Sequence, residues 1–85
     1  MAETEITFHN NVEIRVQAQL FADGSLISTC VAGPGESRSL PAEVPPYDVY
    51  LKDSTTGWEL ARHLNSAATT LTLSRHKGRY LITGN

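Results

Sequence analysis

The stretch EIRVQAQLFADGSLISTCVA, residues 13–32, decides the fold of this chain. In its first half, apolar residues occupy every second position: Ile14, Val16, Ala18 and Leu20. Polar side chains stand between them, which is typical of a strand with one buried and one wet face. Asp23-Gly24 follows, and such a pair readily takes the positive φ angles of a tight hairpin turn. The stretch therefore predicts an antiparallel hairpin whose second strand spans 26–32.

The period of two continues through the rest of the chain. It predicts strands at 5–8, at 37–40 (ended by Pro41) and at 47–53, and a second hairpin of 70–74 and 79–83 around the loop Arg75-His76-Lys77-Gly78. Many short strands with closely spaced turn signals are typical of a sandwich or a barrel. We expect an all-β fold, an antiparallel β-sandwich of seven to eight strands in a single domain, residues 1–85.

Segment 58–65 fits either a strand or a two-turn helix that places Leu60 and Leu64 on one face. We favour the strand, because the flanking segments are strands. The shared period predicts that side chains from separate strands meet in one core: Ile14, Val16, Ala18, Leu20, Val49, Leu51, Leu71 and Leu73.

Length and composition limit the classes of function. A chain of 85 residues that is 40% hydrophobic and 19% charged is too apolar for disorder and too short for an enzyme with its own cofactor domain. The three histidines lack metal-site spacing, and neither a Cys-x-x-Cys motif nor a nucleophile elbow occurs. We therefore expect no catalytic, metal or cofactor site, and we expect the chain not to be an enzyme.

The single cysteine points to a cytoplasmic location, because small secreted domains usually need several disulfides. No secretory leader and no bilayer-spanning apolar run is visible, so we expect no membrane contact. Cys30 lies mid-strand on the same side as Leu26, with no charged residue near it in sequence. We interpret it as a structural thiol that reacts slowly with alkylating reagents.

Charge is distributed unevenly along the chain. The formal net charge is −2, yet all nine acidic residues lie at or before Glu59, among them Glu3, Glu5 and Glu13. Residues 60–85 contain only positive charges: Arg62, Arg75, Lys77 and Arg79. The last hairpin, with His76 and Tyr80, therefore forms a basic surface that fits an anionic partner or a second copy of the chain. The alternative is a solvated basic edge that prevents strand aggregation.

Aromatic residues supply a second group of binding candidates. Tyr47 and Tyr50 point to opposite faces of one predicted strand, and Trp58 follows closely. Tyr and Trp beside Arg are typical of interface hot spots and of sugar-stacking sites. Core packing is the favoured role for Trp58, in a domain with few aromatics. The candidate binding residues are Arg75, His76, Lys77, Arg79, Tyr80, Tyr47, Trp58 and Arg62.

Landmarks over residues 6–74 resemble the β-domain of the von Hippel–Lindau tumour suppressor family, a transthyretin-like sandwich. They are Ile6-Thr7-Phe8-His9-Asn10, Leu20-Phe21-Ala22-Asp23-Gly24, Gly33-Pro34-Gly35, and Val49-Tyr50-Leu51-Lys52-Asp53 with Thr56-Gly57. The resemblance implies a seven- or eight-stranded recognition module whose sheet surface captures a hydroxylated proline. At the matching positions this chain has Gln19, Thr29, Glu43, Tyr47 and Val49, so the family's aromatic and histidine cage is absent apart from Tyr47.

Together these patterns predict a non-catalytic binding or assembly module that recognises a protein partner or a second copy through its basic C-terminal hairpin. The alternative is a small carbohydrate- or anion-binding domain, excised from a larger enzyme. An enzyme in its own right is the third hypothesis, because no acid–base pair can be assembled from the sequence. The negative net charge disfavours duplex nucleic acid.

Overall fold

A computed structural model describes residues 4–85 of the chain, so the predicted contribution of Glu3 lies outside the described residues. The strands are β1 (Thr4–Asn10), β2 (Val16–Ala22), β3 (Ser25–Ala32), β4 (Ser37–Ala42), β5 (Tyr47–Asp53), β6 (Glu59–Ser66), β7 (Thr70–His76) and β8 (Arg79–Gly84). They form two four-stranded sheets: sheet A, in the order β4-β1-β7-β8, and sheet B, in the order β3-β2-β5-β6. The predicted all-β sandwich is confirmed.

Neighbouring strands are antiparallel except β1 and β7, which are parallel. At one side of the sandwich the edge strand β3 contacts the edge strand β4, and at the other β6 contacts β8. Among the residues described, none forms a helix long and apolar enough to cross a membrane.

The core lies between the two sheets, where every second residue of a strand points inward. The predicted core positions of β2, β5 and β7 are fully buried: Val16, Ala18, Leu20, Val49, Leu51, Leu71 and Leu73. Ile14 packs against this core but is only half-buried. The reason is that β2 begins at Val16, and Ile14 belongs to the preceding loop.

A β-bulge in β3 corrects the predicted face of Leu26. Leu20 pairs with Ser28 and Phe21 pairs with Leu26, so Ile27 is an extra residue in the ladder. An extra residue shifts the alternation by one position. Leu26 is therefore 52% exposed on the outer face, whereas Cys30 packs against the core. The prediction that Leu26 and Cys30 share a side is wrong.

Segment 58–65 forms most of strand β6, so the helical alternative is wrong. The ladder between β5 and β6 shifts register twice, and each shift inserts an extra residue in β6. One lies at Leu60, and the other lies beside Asn65, whose φ is 55°. These insertions break the period of two, which explains why the sequence pattern of this segment is ambiguous.

Two-residue turns close both predicted hairpins. Asp23 and Gly24 have φ angles of 50° and 79°, and Lys77 and Gly78 have φ angles of 52° and 78°, as in type I′ turns. The second turn is shorter than the predicted four-residue loop, because Arg75 and His76 already belong to β7.

Strand β4 continues through Pro41 to Ala42, so the prediction that Pro41 ends it is wrong. A proline is tolerated in an edge strand, where a missing ladder donor costs little. The Pro41 carbonyl accepts a hydrogen bond of 2.7 Å from the Ser28 hydroxyl of β3, which links the two sheets at this side.

Candidate functional site

The predicted basic residues divide between the two sides of the β7–β8 hairpin. Arg75 pairs with Tyr80, and His76 pairs with Arg79. Because successive residues of a strand alternate in direction, Arg75 and Tyr80 continue the inner side of Leu73, and the other pair lies on the outer side. The hairpin therefore presents two separate groups.

The inner group lines a cleft of about 460 Å³ between the hairpin and the β1–β2 loop. The hairpin contributes Arg75, Lys77, Gly78 and Tyr80. The guanidinium carbon of Arg75 lies 5.6 Å from the centre of the Tyr80 ring, a cation–π geometry. Tyr80 in turn packs against the core, so the aromatic ring gives Arg75 a fixed support.

A buried amide holds the loop wall of the cleft, which residues 11–14 form. The Asn10 side chain is 1% exposed. Its Nδ2 donates to the carbonyl oxygens of Ile14, Ala32 and Gly33 at 2.8, 2.9 and 3.1 Å. Its Oδ1 accepts from the Val12 amide at 3.1 Å. These bonds tie the loop to β3, so the cleft wall is fixed from the interior.

The cations of the cleft have no ionic partner within the described residues. Only two ion pairs occur there, Glu36–Arg38 at 3.0 Å and Glu59–Arg62 at 2.8 Å. Glu13 lines the same cleft but forms no ion pair with Arg75 or Lys77. Two cations and one carboxylate leave the cleft with a local excess of positive charge.

The three predicted site residues outside the hairpin lie away from this cleft: Trp58, Arg62 and Tyr47. Trp58 is 74% exposed at the β5–β6 connection, so the prediction that it packs in the core is wrong. Its carbonyl pairs with the Asp53 amide at 2.8 Å, which places Trp58 beyond the last core position of the ladder. Arg62 belongs to the outer face of sheet B, where it lies over Tyr50.

Tyr47 is 2% exposed, so its prediction as a surface binding residue is wrong. The side chain points between the sheets with Val49 and Leu51, because all three share the inner alternation of β5. Its hydroxyl is buried without a hydrogen-bond partner. Burial raises the pKa of this phenol, which stays protonated at neutral pH.

Outside the cleft, the described side chains that could act as nucleophiles or metal ligands do not lie together in one cluster. Burial raises the pKa of the Cys30 thiol, and Arg38 opposes that rise from the neighbouring strand β4. No charged residue is near Cys30 in sequence, but the fold brings Arg38 close to it, and desolvation outweighs the arginine. Within residues 4–85, no group of three or more His, Cys, Asp or Glu side chains is placed to hold a metal ion.

His9 Nδ1 and Ser37 Oγ form a hydrogen bond between β1 and β4 that sequence analysis missed. The pair lies on the outer face of sheet A, and neither residue lines the cleft. A serine nucleophile needs a base held by a third group and donors for the developing oxyanion. The hydrogen bond between His9 and Ser37 supplies neither the third group that would hold the histidine nor the oxyanion donors.

A second groove, of about 360 Å³, lies on the outer face of sheet B. Phe21 and Tyr50 meet in it edge to face, with ring centres 5.4 Å apart and planes at 86°. Sequence analysis did not select Phe21. The sequence did contain a signal for it. Phe21 alternates with the core residues of β2, as Gln17 and Gln19 do, and is therefore expected on the same outer face as Tyr50.

The fold and its surfaces thus define a small all-β sandwich with one basic cleft and one aromatic groove. No protein-family model, curated protein or solved structure matches this chain. The resemblance to the von Hippel–Lindau β-domain therefore stays a prediction.

Proposed function

We propose that this chain is a non-catalytic binding module that recognises an anionic segment of a protein partner in the cleft beside the β7–β8 hairpin. The observation that carries the proposal is the shared cleft itself. Arg75, Lys77 and Tyr80 line it together, and both cations lack an ionic partner within the described residues. Unpaired cations on a fixed support favour a ligand of opposite charge.

Charge supplies orientation in this proposal, and apolar contacts supply much of the affinity. An exposed ion pair contributes only about 0–1 kcal/mol. The Tyr80 ring provides apolar surface inside the cleft, whereas the exposed Leu81 lies on the outer side of β8. Ile82, the remaining apolar residue of this strand, packs against the core instead.

A second copy of the chain is the other partner to be tested. Glu13 lines the basic cleft itself, so it does not form an acidic surface at the opposite end. Glu5 does lie away from the hairpin, because it pairs with Pro41 near the start of β1. Exposed Asp23, in the β2–β3 turn, and exposed Glu43, after β4, lie at the same end as Glu5, so a second copy does offer acidic residues there. Sedimentation velocity distinguishes a second copy from a different protein.

The resemblance to the von Hippel–Lindau β-domain also favours a recognition role, but not that family's ligand. Two of the positions that match its ligand-capturing surface, Tyr47 and Val49, are buried in the core here. A hydroxylated proline could not reach them. The lone cysteine supports a cytoplasmic location for the module.

The test uses two double variants with the same change in net charge. Arg75→Ser/Lys77→Ser removes the cleft cations, and Arg15→Ser/Lys52→Ser removes two cations that do not line the cleft. Binding of a short labelled polyglutamate peptide is followed by fluorescence anisotropy at low and high salt, and self-association by sedimentation velocity.

We expect the unmodified chain to bind the peptide in a salt-dependent way, and the cleft variant to bind roughly tenfold more weakly. The control variant should bind as the unmodified chain does. Equal weakening by both variants, or no binding by the unmodified chain, would overturn the proposal. Loss of a dimer in the cleft variant alone would identify the partner as a second copy.

A further inference from the structure

We propose that the groove on the outer face of sheet B binds a neutral saccharide, at a site separate from the basic cleft. Strands β2, β5 and β6 build this groove, and its floor is the edge-to-face pair of Phe21 and Tyr50. Both rings are half-buried, so they are held in place and still offer apolar surface to a ligand.

The Tyr50 ring has a second partner besides Phe21. Arg62 of β6 lies over it, with the guanidinium carbon 5.5 Å from the ring centre. Glu59 in turn holds Arg62 through an ion pair of 2.8 Å and a hydrogen bond of 2.9 Å to Nε. The ring, the guanidinium and the carboxylate thus form one connected cluster at the groove.

Polar groups of both kinds surround the aromatic floor. Gln19 offers an amide, Lys52 an ammonium, and Asp48 a carboxylate. One Asp48 oxygen already accepts from the backbone N–H of Asn65 at 2.9 Å, which orients the carboxylate. Donors and acceptors beside an aromatic surface match a pyranose, whose ring has an apolar C–H face and an edge of hydroxyl groups.

The charge balance of the groove favours a neutral ligand. The charged lining residues are Asp48, Glu59 and Lys52. Glu59 is paired with Arg62 beside the groove, so the formal charges of Asp48 and Lys52 remain and cancel each other. The basic cleft has no such balance, so the two sites select different chemistry. A volume of about 360 Å³ is at the lower end of small-molecule sites, which span about 300–1,000 Å³, and it suits one or two sugar units.

The test is a titration of the ¹⁵N-labelled chain with gluco-, galacto- and manno-oligosaccharides, followed by amide chemical shifts. We expect at least one of them to shift the amides of Gln19, Tyr50 and Lys52 in a saturable way. Tyr50→Ala should weaken that binding roughly tenfold or more. Trp58→Ala is the control, because it truncates an exposed aromatic side chain that does not line the groove.

A second pair of variants changes only surface side chains, so that weaker binding cannot result from loss of folding. Gln19→Ala removes the amide from the groove, and Gln17→Ala removes the neighbouring outward amide of β2, which does not line it. Only the first should weaken saccharide binding. Absence of shifts with every oligosaccharide, or shifts confined to the β7–β8 hairpin, would overturn the proposal. Stronger shifts of the same amides with inorganic phosphate would also overturn it, in favour of an anion site.

Discussion

Asn10 and Tyr47 are two buried polar side chains at opposite ends of the sandwich, and their environments differ. Asn10 has three carbonyl oxygens within hydrogen-bond distance of Nδ2, and its Oδ1 accepts from one backbone amide. The Tyr47 hydroxyl lies near the Glu43 backbone but makes no hydrogen bond of normal geometry. A buried polar group that is satisfied holds its surroundings in one arrangement, whereas an unsatisfied group costs free energy. The fully buried amide of Asn10 therefore helps to hold the end that carries the basic cleft, whereas the Tyr47 hydroxyl costs stability at the other end.

Truncation of a core leucine between the two ends should cause the largest loss of stability, and the losses at Asn10 and Tyr47 are compared with it. Leu51 and Leu20 are fully buried in sheet B. Truncation of either to alanine should lower the free energy of unfolding by about 2–5 kcal/mol, because a cavity remains. Urea denaturation measures the loss, and Leu64→Ala, at an exposed leucine, is the control. Unchanged stability in both core variants would show that the register of β2 and β5 is off by one residue.

Asn10→Ala should cost about 2–3 kcal/mol, because it leaves a backbone amide and several carbonyls without their partner. Asn10→Asp sharpens the test, since its second oxygen would face the carbonyls of Ala32 and Gly33. We expect that carboxyl to have a raised pKa in the folded state. The variant should therefore gain stability as the pH falls and lose it as the pH rises. Chemical denaturation over a pH series measures this, with exposed Asn11→Ala as control.

Tyr47→Phe should act in the opposite direction and raise the free energy of unfolding by about 1 kcal/mol. It removes a hydroxyl that is buried without a partner and keeps the ring in the core. Thermal and urea denaturation measure the gain, with Tyr80→Phe as the matched change on the half-buried tyrosine. A loss as large as that of Asn10→Ala would erase the difference between the two ends.

Substitution of Glu36, which lies at the Asn10 end, should change the stability least of all these variants. Its carboxylate accepts from the Gly33 amide at 2.6 Å and pairs with Arg38, and these contacts lower its pKa. A lowered folded-state pKa stabilises the fold at neutral pH, and this contribution is lost as the pH falls through that pKa. Glu36→Gln should therefore flatten the acid side of the stability profile.

Melting curves from neutral to acid pH measure this contribution. Glu43→Gln makes the same charge change beside Tyr47. If that variant flattens the profile as much as Glu36→Gln, the acid sensitivity does not belong to the Asn10 end.

Local chemistry determined most of the architecture. Alternation of apolar residues placed Leu20, Leu51 and Leu73 in the core, because a strand has a side-chain period of two wherever it lies. Asp-Gly and Lys-Gly pairs determined both tight turns, because their backbone conformations are a local property. The concentration of basic residues in the last hairpin was likewise visible in the chain.

Tertiary structure alone decided which of these residues meet. The bulge at Ile27 turns Leu26 outward, and the two insertions in β6 set the faces of Trp58 and Arg62; each depends on how distant strands align. The same alignment brings Phe21, Tyr50 and Arg62 together across three strands, and it places residues 11–14 against Arg75 and Tyr80. The side-chain period of a strand and the conformation of a turn depend on residues that are close in sequence. Register and bulges depend on the packing of the whole sandwich, so both sites exist only in the assembled sheets.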